Sequence, residues 1–301
     1  MFRRAGLFLS LLSVLFLLFF PRPSECAPKN IVSLSPVGTE ILFALGQGDN
    51  VRYVTEFCDY PPEARDKPKL GGFNGMNYEK LAESGADLAV LSDIHLQYTD
   101  GLDKLGIAYC VVRQGSVAEI CGSITELGKI CEAEAEAKRI TEAMKNEISR
   151  ISEKAARLPK RSVLLCVSRE ISEPRISVFY AAGGKTFYDE LITLAGGENV
   201  LKDSEAAYPR VSAEGLITLS PEAIIDLVGD SAYYHAPGDI DKETVFSEER
   251  LMEQWRNAPQ IEAVSEGRVT ILRGTVFLRP GPRIPEILKA FARAIHPEEQ
   301  W

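Results

Sequence analysis

Between Glu132 and Leu158 the chain has neither glycine nor proline, and Ile140, Met144, Ile148, Ile151 and Ala155 recur there at steps of four, four, three and four. An α-helix puts residues at that spacing on one face, because 3.6 residues complete a turn. The rest of the segment is rich in Glu, Ala, Lys and Arg, so the helix is amphipathic with a single apolar stripe. A flexible connection would be rich in Gly and Ser, an extended one in Pro, and this is neither. A stiff rod in mid-chain divides the sequence into two parts. The pattern predicts two lobes, 27–131 and 159–301, joined by a helix over 132–158.

Both flanks read as alternating strands and helices. Ile31-Val32-Ser33-Leu34 is a short apolar run, followed by Ser35-Pro36 and by helical spacing from Thr39 to Leu45 that Gly46 closes. Ser35 is suited to cap that helix and Pro36 to open it. Leu88–Leu91 and Ala108–Val112 are further buried strands, each after a helical stretch. Past the rod, Ser162–Val167, Ala223–Val228 and Val269–Leu272 read as strands, and Phe187–Leu194 and Ile284–Ala294 as helices. Such alternation predicts parallel sheets covered on both faces. One internal echo links the flanks. Glu79-Lys80-Leu81 precedes Asp87-Leu88-Ala89-Val90, and Glu214-Gly215-Leu216 precedes Glu222-Ala223-Ile224-Ile225, at a constant offset of 135 residues. Two lobes with corresponding elements account for it; so does chance similarity between two helix–strand units.

The N-terminus carries an address. Arg3 and Arg4 precede an uncharged run from Ala5 to Phe20, which Pro21 and Pro23 end before Ser24 and Cys26. That is the layout of a secretory signal peptide over residues 1–26, and the run is shorter than the roughly 20 residues of a spanning helix. Cys26 offers lipidation as the alternative, although the charged Glu25 before it fits a lipoprotein cleavage box poorly. The whole chain has a formal net charge of −9. Loss of Arg3, Arg4, Arg22 and Glu25 with the signal makes it about −11, which repels nucleic acid and anionic lipid and suits docking on a basic partner. Cys58, Cys110, Cys121, Cys131 and Cys166 then remain, an odd number without CxxC or zinc-ligand spacing. They read as small buried hydrophobes, and although export permits a disulfide, no spacing specifies one.

Catalytic signatures are absent: there is no HExxH, no GxSxG and no GxGxxG after a strand. Gly184-Lys185-Thr186 has the ending of a phosphate loop, but Phe179 stands where its first glycine is required. What the chain offers instead is aromatic residues in loops beside turn formers. Phe57 precedes Asp59-Tyr60-Pro61-Pro62, and Phe73 lies in Gly71-Gly72-Phe73-Asn74-Gly75. Tyr208 precedes Pro209, and Phe277 and Arg279 precede Pro280-Gly281-Pro282. Loops at strand ends are where open α/β sheets bind ligands, and rings there can lie flat on a large planar ligand while an arginine bonds its amides or carboxylates. Each ring taken singly is equally well read as packing under its loop; the group points to a pocket.

These residues fall within runs that resemble a known family. Asn30-Ile31-Val32-Ser33-Leu34-Ser35-Pro36 with Thr39-Glu40, Asp59-Tyr60-Pro61-Pro62, Gly75-Met76-Asn77-Tyr78-Glu79 and Ala86-Asp87-Leu88 are similar to the first lobe of the iron-chelate/cobalamin periplasmic binding proteins of ABC importers. Gly196-Gly197-Glu198-Asn199-Val200, Tyr208-Pro209-Arg210-Val211-Ser212-Ala213-Glu214, Ser220-Pro221-Glu222-Ala223-Ile224 and Pro282-Arg283-Ile284 continue the likeness in order. The vitamin B12 (cobalamin) binders are the nearest branch. The resemblance implies an α/β fold of two Rossmann-like lobes joined by a single long rigid helix, with ligand in the cleft between them. It implies stacking roles for Phe57, Phe73 and Tyr208, a basic pocket residue at Arg279 beside Phe277, and one permease-docking glutamate per lobe, Glu79 and Glu214. The alternative for both glutamates is a solvated first-turn residue favoured by the helix dipole. Departures concern the ligand rather than the fold. Phe57, Phe73 and Tyr208 replace more usual Tyr and Trp residues, Thr275 stands where an acidic residue is common, Ala195 replaces a cysteine, and the Ser92–Tyr98 loop is unlike the family's.

His95 and the Tyr233-Tyr234-His235 cluster follow predicted strands, one in each lobe. They are either surface loop residues or ligands to cobalt or haem iron. His296 is assigned no role. The expectation is an exported, monomeric, non-enzymatic binding protein with no cofactor of its own, which captures a cobalt corrinoid and hands it to an ABC permease through Glu79 and Glu214. A ferric siderophore or haem is the alternative cargo, and a metal-handling enzyme of related architecture the alternative class.

Overall fold

The computed structural model describes residues 27–71, 77–229, 247–258 and 260–301. The signal segment with Cys26, Phe73, and the Tyr233-Tyr234-His235 cluster lie outside the described residues.

The first lobe runs β1 (Ile31–Ser33), α1 (Pro36–Ala44), β2 (Val51–Val54), α2 (Pro62–Arg65), α3 (Tyr78–Glu83), β3 (Leu88–Ser92), α4 (Thr99–Leu105), β4 (Ala108–Val112) and α5 (Val117–Ile130). Its strands form a parallel sheet in the order β2-β1-β3-β4. All three residues of β1 and all five of β3 are buried, as strands covered on both faces must be. The Ser35 hydroxyl caps α1 by accepting from the Gly38 amide at 3.1 Å, with Pro36 at the first helical position. A Cβ on Gly38 would lie 2.5 Å from Val90 Cγ1. Glycine there lets α1 press directly on β3, which sets the height at which the N-terminus of α1 emerges above the sheet.

Then comes α6 (Glu134–Ala155), 22 residues and roughly 33 Å long at 1.5 Å per residue. It is shorter than the 132–158 read from the sequence. Glu132 sits in the left-handed region at φ 54° and turns the chain out of α5, so helical backbone resumes only at Glu134. The expected stripe is buried, with Ala137 and Thr141 added to it. This stripe packs on α5 and on two helices of the second lobe.

The second lobe contains β5 (Arg161–Arg169), β6 (Val178–Ala181), α7 (Phe187–Leu194), β7 (Gly197–Asn199), β8 (Arg210–Ser212), α8 (Ala213–Leu219), β9 (Ala223–Val228), α9 (Glu248–Arg256), α10 (Glu262–Ser265), β10 (Val269–Arg273) and α11 (Ile284–Ile295). The sheet order is β10-β9-β5-β6-β8, with β7 also beside β5. It is mixed rather than purely parallel, because β6 runs antiparallel to β5 and to β8. The physical reason is the connection. Eight residues, 170–177, separate β5 from β6, too few for the crossover that a parallel neighbour needs.

One apolar cluster crosses from lobe to lobe. It includes Ile31, Val90 and Ile124 of the first lobe, Met144, Ile148 and Ile151 of α6, and Leu165, Leu191 and Phe291 of the second. Sliding one lobe relative to the other would open this shared core, and truncating one such residue to alanine costs about 2–5 kcal/mol. Among the described residues no helix is long and apolar enough to cross a membrane. The five cysteines are free and buried. Burial holds the thiols of Cys110, up to about 12, and Cys131, up to about 11, in the protonated form.

Candidate ligand site between the lobes

The loops that leave the strand ends of both sheets converge on one cavity of about 720 Å³. From the first lobe come Leu34, Ser35, Pro36 and Val37 after β1, Thr55 and Phe57 after β2, Ser92, Asp93, Ile94 and His95 at the end of β3, and Gln114 after β4. From the second come Gly229 after β9, and Thr275, Leu278 and Arg279 after β10. The site therefore lies where open α/β sheets place ligands, with two sheets facing each other across it. Leu34, Pro36, Val37, Phe57, Ile94 and Leu278 give it apolar walls. Behind Thr55, which lines it from the first lobe, is a buried hydroxyl cluster. Thr39 donates to Ser33 Oγ at 2.9 Å and lies 3.1 Å from Cys58 Sγ, which also contacts Thr55 at 3.2 Å.

The expected residues divide. Phe57 and Arg279 meet in the cavity from opposite lobes, and His95 joins them. Phe277 does not line it: its ring packs against the large core and its carbonyl accepts from the Tyr188 hydroxyl at 2.9 Å, while the next residue, Leu278, faces the cavity. Tyr208 is 48% exposed and does not line it either. Its phenol lies close enough to Tyr188 to contribute, after burial, to the raised pKa of that group.

Arg279 is only 8% exposed and is not a free cation. It forms an ion pair with Asp59 across the lobe boundary, and Thr275 contacts the same carboxylate at 3.4 Å. A second pair lies alongside: Arg283 Nε donates to Glu40 Oε2 at 2.9 Å, and the guanidinium covers the Tyr60 ring with its carbon 3.7 Å from the centroid. Burial raises the Glu40 carboxyl above its ordinary range, opposed by the bond to Arg283 and by the charges of Arg283 and Arg279. Among the described lining residues only Asp93, His95 and Arg279 are ionisable. With Arg279 matched by Asp59 and the imidazolium of His95 disfavoured by burial, the described lining presents no uncompensated positive charge. No group of three or more His, Cys, Asp or Glu residues suited to a metal ion occurs among the described residues.

Glu79 and Glu214 lie exposed in the first turns of α3 and α8. The correspondence between the lobes extends to the caps. Asn77 Oδ1 accepts from the Lys80 amide at 3.0 Å, and Ser212 Oγ from the Gly215 amide at 3.1 Å, again 135 residues apart. Leu81 and Leu216 anchor the two helices, 0% and 1% exposed, and β3 and β9 follow them. Its own backbone amide and Ser212 hold the Glu214 carboxyl below its usual range.

Residues 31–275 match the family model described as periplasmic binding protein. The chain is 30% identical over 279 residues to YvrC of Bacillus subtilis (strain 168), named an uncharacterized ABC transporter substrate-binding lipoprotein, covering 90% of this chain and 81% of that protein. It is 26% identical over 257 residues to the vitamin B12-binding protein of Vibrio parahaemolyticus serotype O3:K6 (strain RIMD 2210633), covering 85% of each. Among solved structures it superposes on the periplasmic heme-binding protein RhuT from Roseiflexus sp. RS-1 with a TM-score of 0.72 at 22% identity, covering 90% of this chain and 99% of that one.

Proposed function

The chain belongs to the periplasmic binding protein family and is the substrate-binding component of an ABC importer, and on that premise we propose that its cargo is a corrinoid held between the lobes. The observation that carries this reading is the charge balance of the cavity. Arg279, the cation of the described lining, is committed to Asp59. A ligand edged with neutral amides suits such a site, because it needs no counter-charge and finds donors and acceptors in Ser35, Thr55, Gln114 and Thr275. A ligand edged with carboxylates would meet no free cation among the described lining residues. Phe57 supplies a ring for the flat face of the macrocycle, and Phe73 is a further stacking position on the strength of the family pattern. The named binding activity of the Vibrio relative supports the same cargo. The ligand is carried unchanged, and the relatives are solute-binding proteins rather than enzymes.

Delivery is assigned to Glu79 and Glu214. Both are exposed first-turn residues of equivalent helices in the two lobes, so they present one carboxylate each to arginines of the two permease halves. The protein acts as a monomer outside the cytoplasm, and Cys26 is the candidate for lipid attachment because YvrC is named a lipoprotein. Haem is the second reading, as the cargo in the name of RhuT, a protein of the same fold.

Thermal shift with cobalamin, cobinamide, haem and ferric siderophores tests the cargo. A ligand present at 100 times its Kd stabilises the folded state by about 2.7 kcal/mol. The corrinoids are expected to raise Tm most; a rise with haem or a siderophore alone contradicts the proposal.

A further inference from the structure

His95 is 6% exposed, lines the inter-lobe cavity, and is bonded to Ser92 through one ring nitrogen. The Ser92 backbone amide donates to His95 Nδ1 at 3.3 Å, and the Ser92 hydroxyl lies 2.9 Å from the same atom. This is the return bond of a capping box, with histidine in the place usually taken by Glu or Gln. A backbone amide has no alternative to donating, so the nitrogen it faces carries no proton. In a neutral imidazole the proton then resides on Nε2. A histidine that binds metal through Nε2 has the opposite arrangement: its Nδ1 keeps the proton and donates it to a carbonyl or carboxylate. The ring nitrogens of His296 are buried without hydrogen-bond partners, whereas Nε2 of His95 is not a buried orphan and is the ring's remaining polar atom.

We propose that His95 is a specificity residue that acts as a fixed Nε2–H donor toward an acceptor oxygen of the cargo, and not as an axial ligand to its metal. The inference rests on the reading of the cavity as the cargo site. For a corrinoid the acceptor is a peripheral amide carbonyl, so the histidine reads the rim of the macrocycle and leaves the metal to its own ligands. The Ser92 amide would oppose any exchange of roles, since protonating Nδ1 sets two donors against each other and loses a buried bond. Burial acts in the same direction by disfavouring the imidazolium. The Tyr98 ring, stacked with its centroid 6.1 Å from that of His95, limits the rotation of the imidazole that would carry Nδ1 away from Ser92.

Two measurements separate this inference from the identity of the cargo. Multiple-bond 1H–15N correlation on the unliganded protein at neutral pH reports the tautomer directly. With three histidines in the chain, the His95→Gln variant assigns the signal. An Nε2-protonated ring is expected, and an Nδ1-protonated or doubly protonated ring overturns the proposal whatever the ligand. The second measurement titrates aquocobinamide and follows its visible absorption. The bound bands should be the same in wild type and His95→Gln. Affinity should fall about three- to tenfold in His95→Phe and stay near wild type in His95→Gln, which retains a donor. Bands shifted as by an imidazole ligand in the wild type and lost in His95→Gln overturn it. Failure of every corrinoid to bind removes the function proposed above, while the tautomer result still decides the role of the ring.

Discussion

Arg283, at the cap of α11, places its guanidinium against the carboxylate of Glu40 in α1, joining residues 243 positions apart and two different lobes. Glu40 has a side chain only 2% exposed, and the pair lies next to that of Asp59 and Arg279. Two charge pairs thus bridge the lobes beside the cavity, each with its acid in the first lobe and its base in the second.

Removing one member should expose how costly the buried carboxylate is. Arg283→Met is expected to destabilise the protein by about 3 kcal/mol at neutral pH, the cost of leaving a buried charge unpaired. The pH dependence has an unusual sign. The folded pKa of Glu40 already lies above 4.5, and loss of Arg283 removes two influences that lower it. The folded state then binds the proton more tightly than the unfolded one, so stability rises as pH falls through the folded value and levels off below 4.5. Urea melts at neutral and mildly acidic pH test this; an equal loss at both is the contrary result.

Asp59→Asn should alter preference more than stability. It leaves Arg279 without its counter-charge at the cavity wall. Binding of a carboxylate-edged tetrapyrrole such as haem is expected to improve about tenfold relative to cobinamide, in keeping with a newly available charge-assisted bond. Fluorescence titration gives both affinities, and an unchanged ratio contradicts the charge-balance argument.

Much of this architecture was legible in the sequence, for reasons that also mark the limit. The stripe on α6 and the fully buried, mostly apolar strands β1, β3 and β9 announce themselves because burial on one stripe or on two faces leaves a strong record in the sequence. Strand β2, Val51-Arg52-Tyr53-Val54, exposes its arginine at the sheet edge and leaves no such record, nor do the three residues of β8. Phe57 and Arg279 stand out through family pattern and loop chemistry. That Arg279 is neutralised by Asp59 was not legible, because no periodicity connects residues 220 positions apart. The same holds for Leu278 facing the cavity in place of Phe277: a 3-10 turn over Thr275–Leu278 decides which side chain faces inward.

His296, to which its place near the C-terminus assigns no role, is fully buried, and neither ring nitrogen has a hydrogen-bond partner. Burial, and then the charge of Arg161, lower its pKa; the charges of Glu298 and Glu299 oppose them. A base with a depressed folded pKa contributes stability that is full above the unfolded value of 6.5 and is lost as pH falls toward the folded one. His95 is shifted in the same direction. Tm should therefore decline as pH drops below about 6.5, and His296→Leu should flatten the decline. An identical slope in the variant contradicts this account.

Charge reversal at Glu79 and Glu214 separates docking from capture. Both residues are exposed, while the anchors of their helices are Leu81 and Leu216. Glu79→Lys with Glu214→Lys is expected to leave ligand affinity within about twofold and to abolish uptake, since each carboxylate would become a repelling charge opposite permease arginines. Uptake that persists in a reconstituted importer contradicts the assignment.

The most direct test is calorimetric titration of the protein expressed without residues 1–26 with cobinamide, in wild type and in Phe57→Ala. A single site with 1:1 stoichiometry is predicted, weakened by at least about 1 kcal/mol when the ring at the cavity wall is removed. Phe277→Ala, whose ring faces the core instead, serves as the comparison. No heat with any corrinoid, or binding indifferent to Phe57, would contradict the placement of a corrinoid between the lobes.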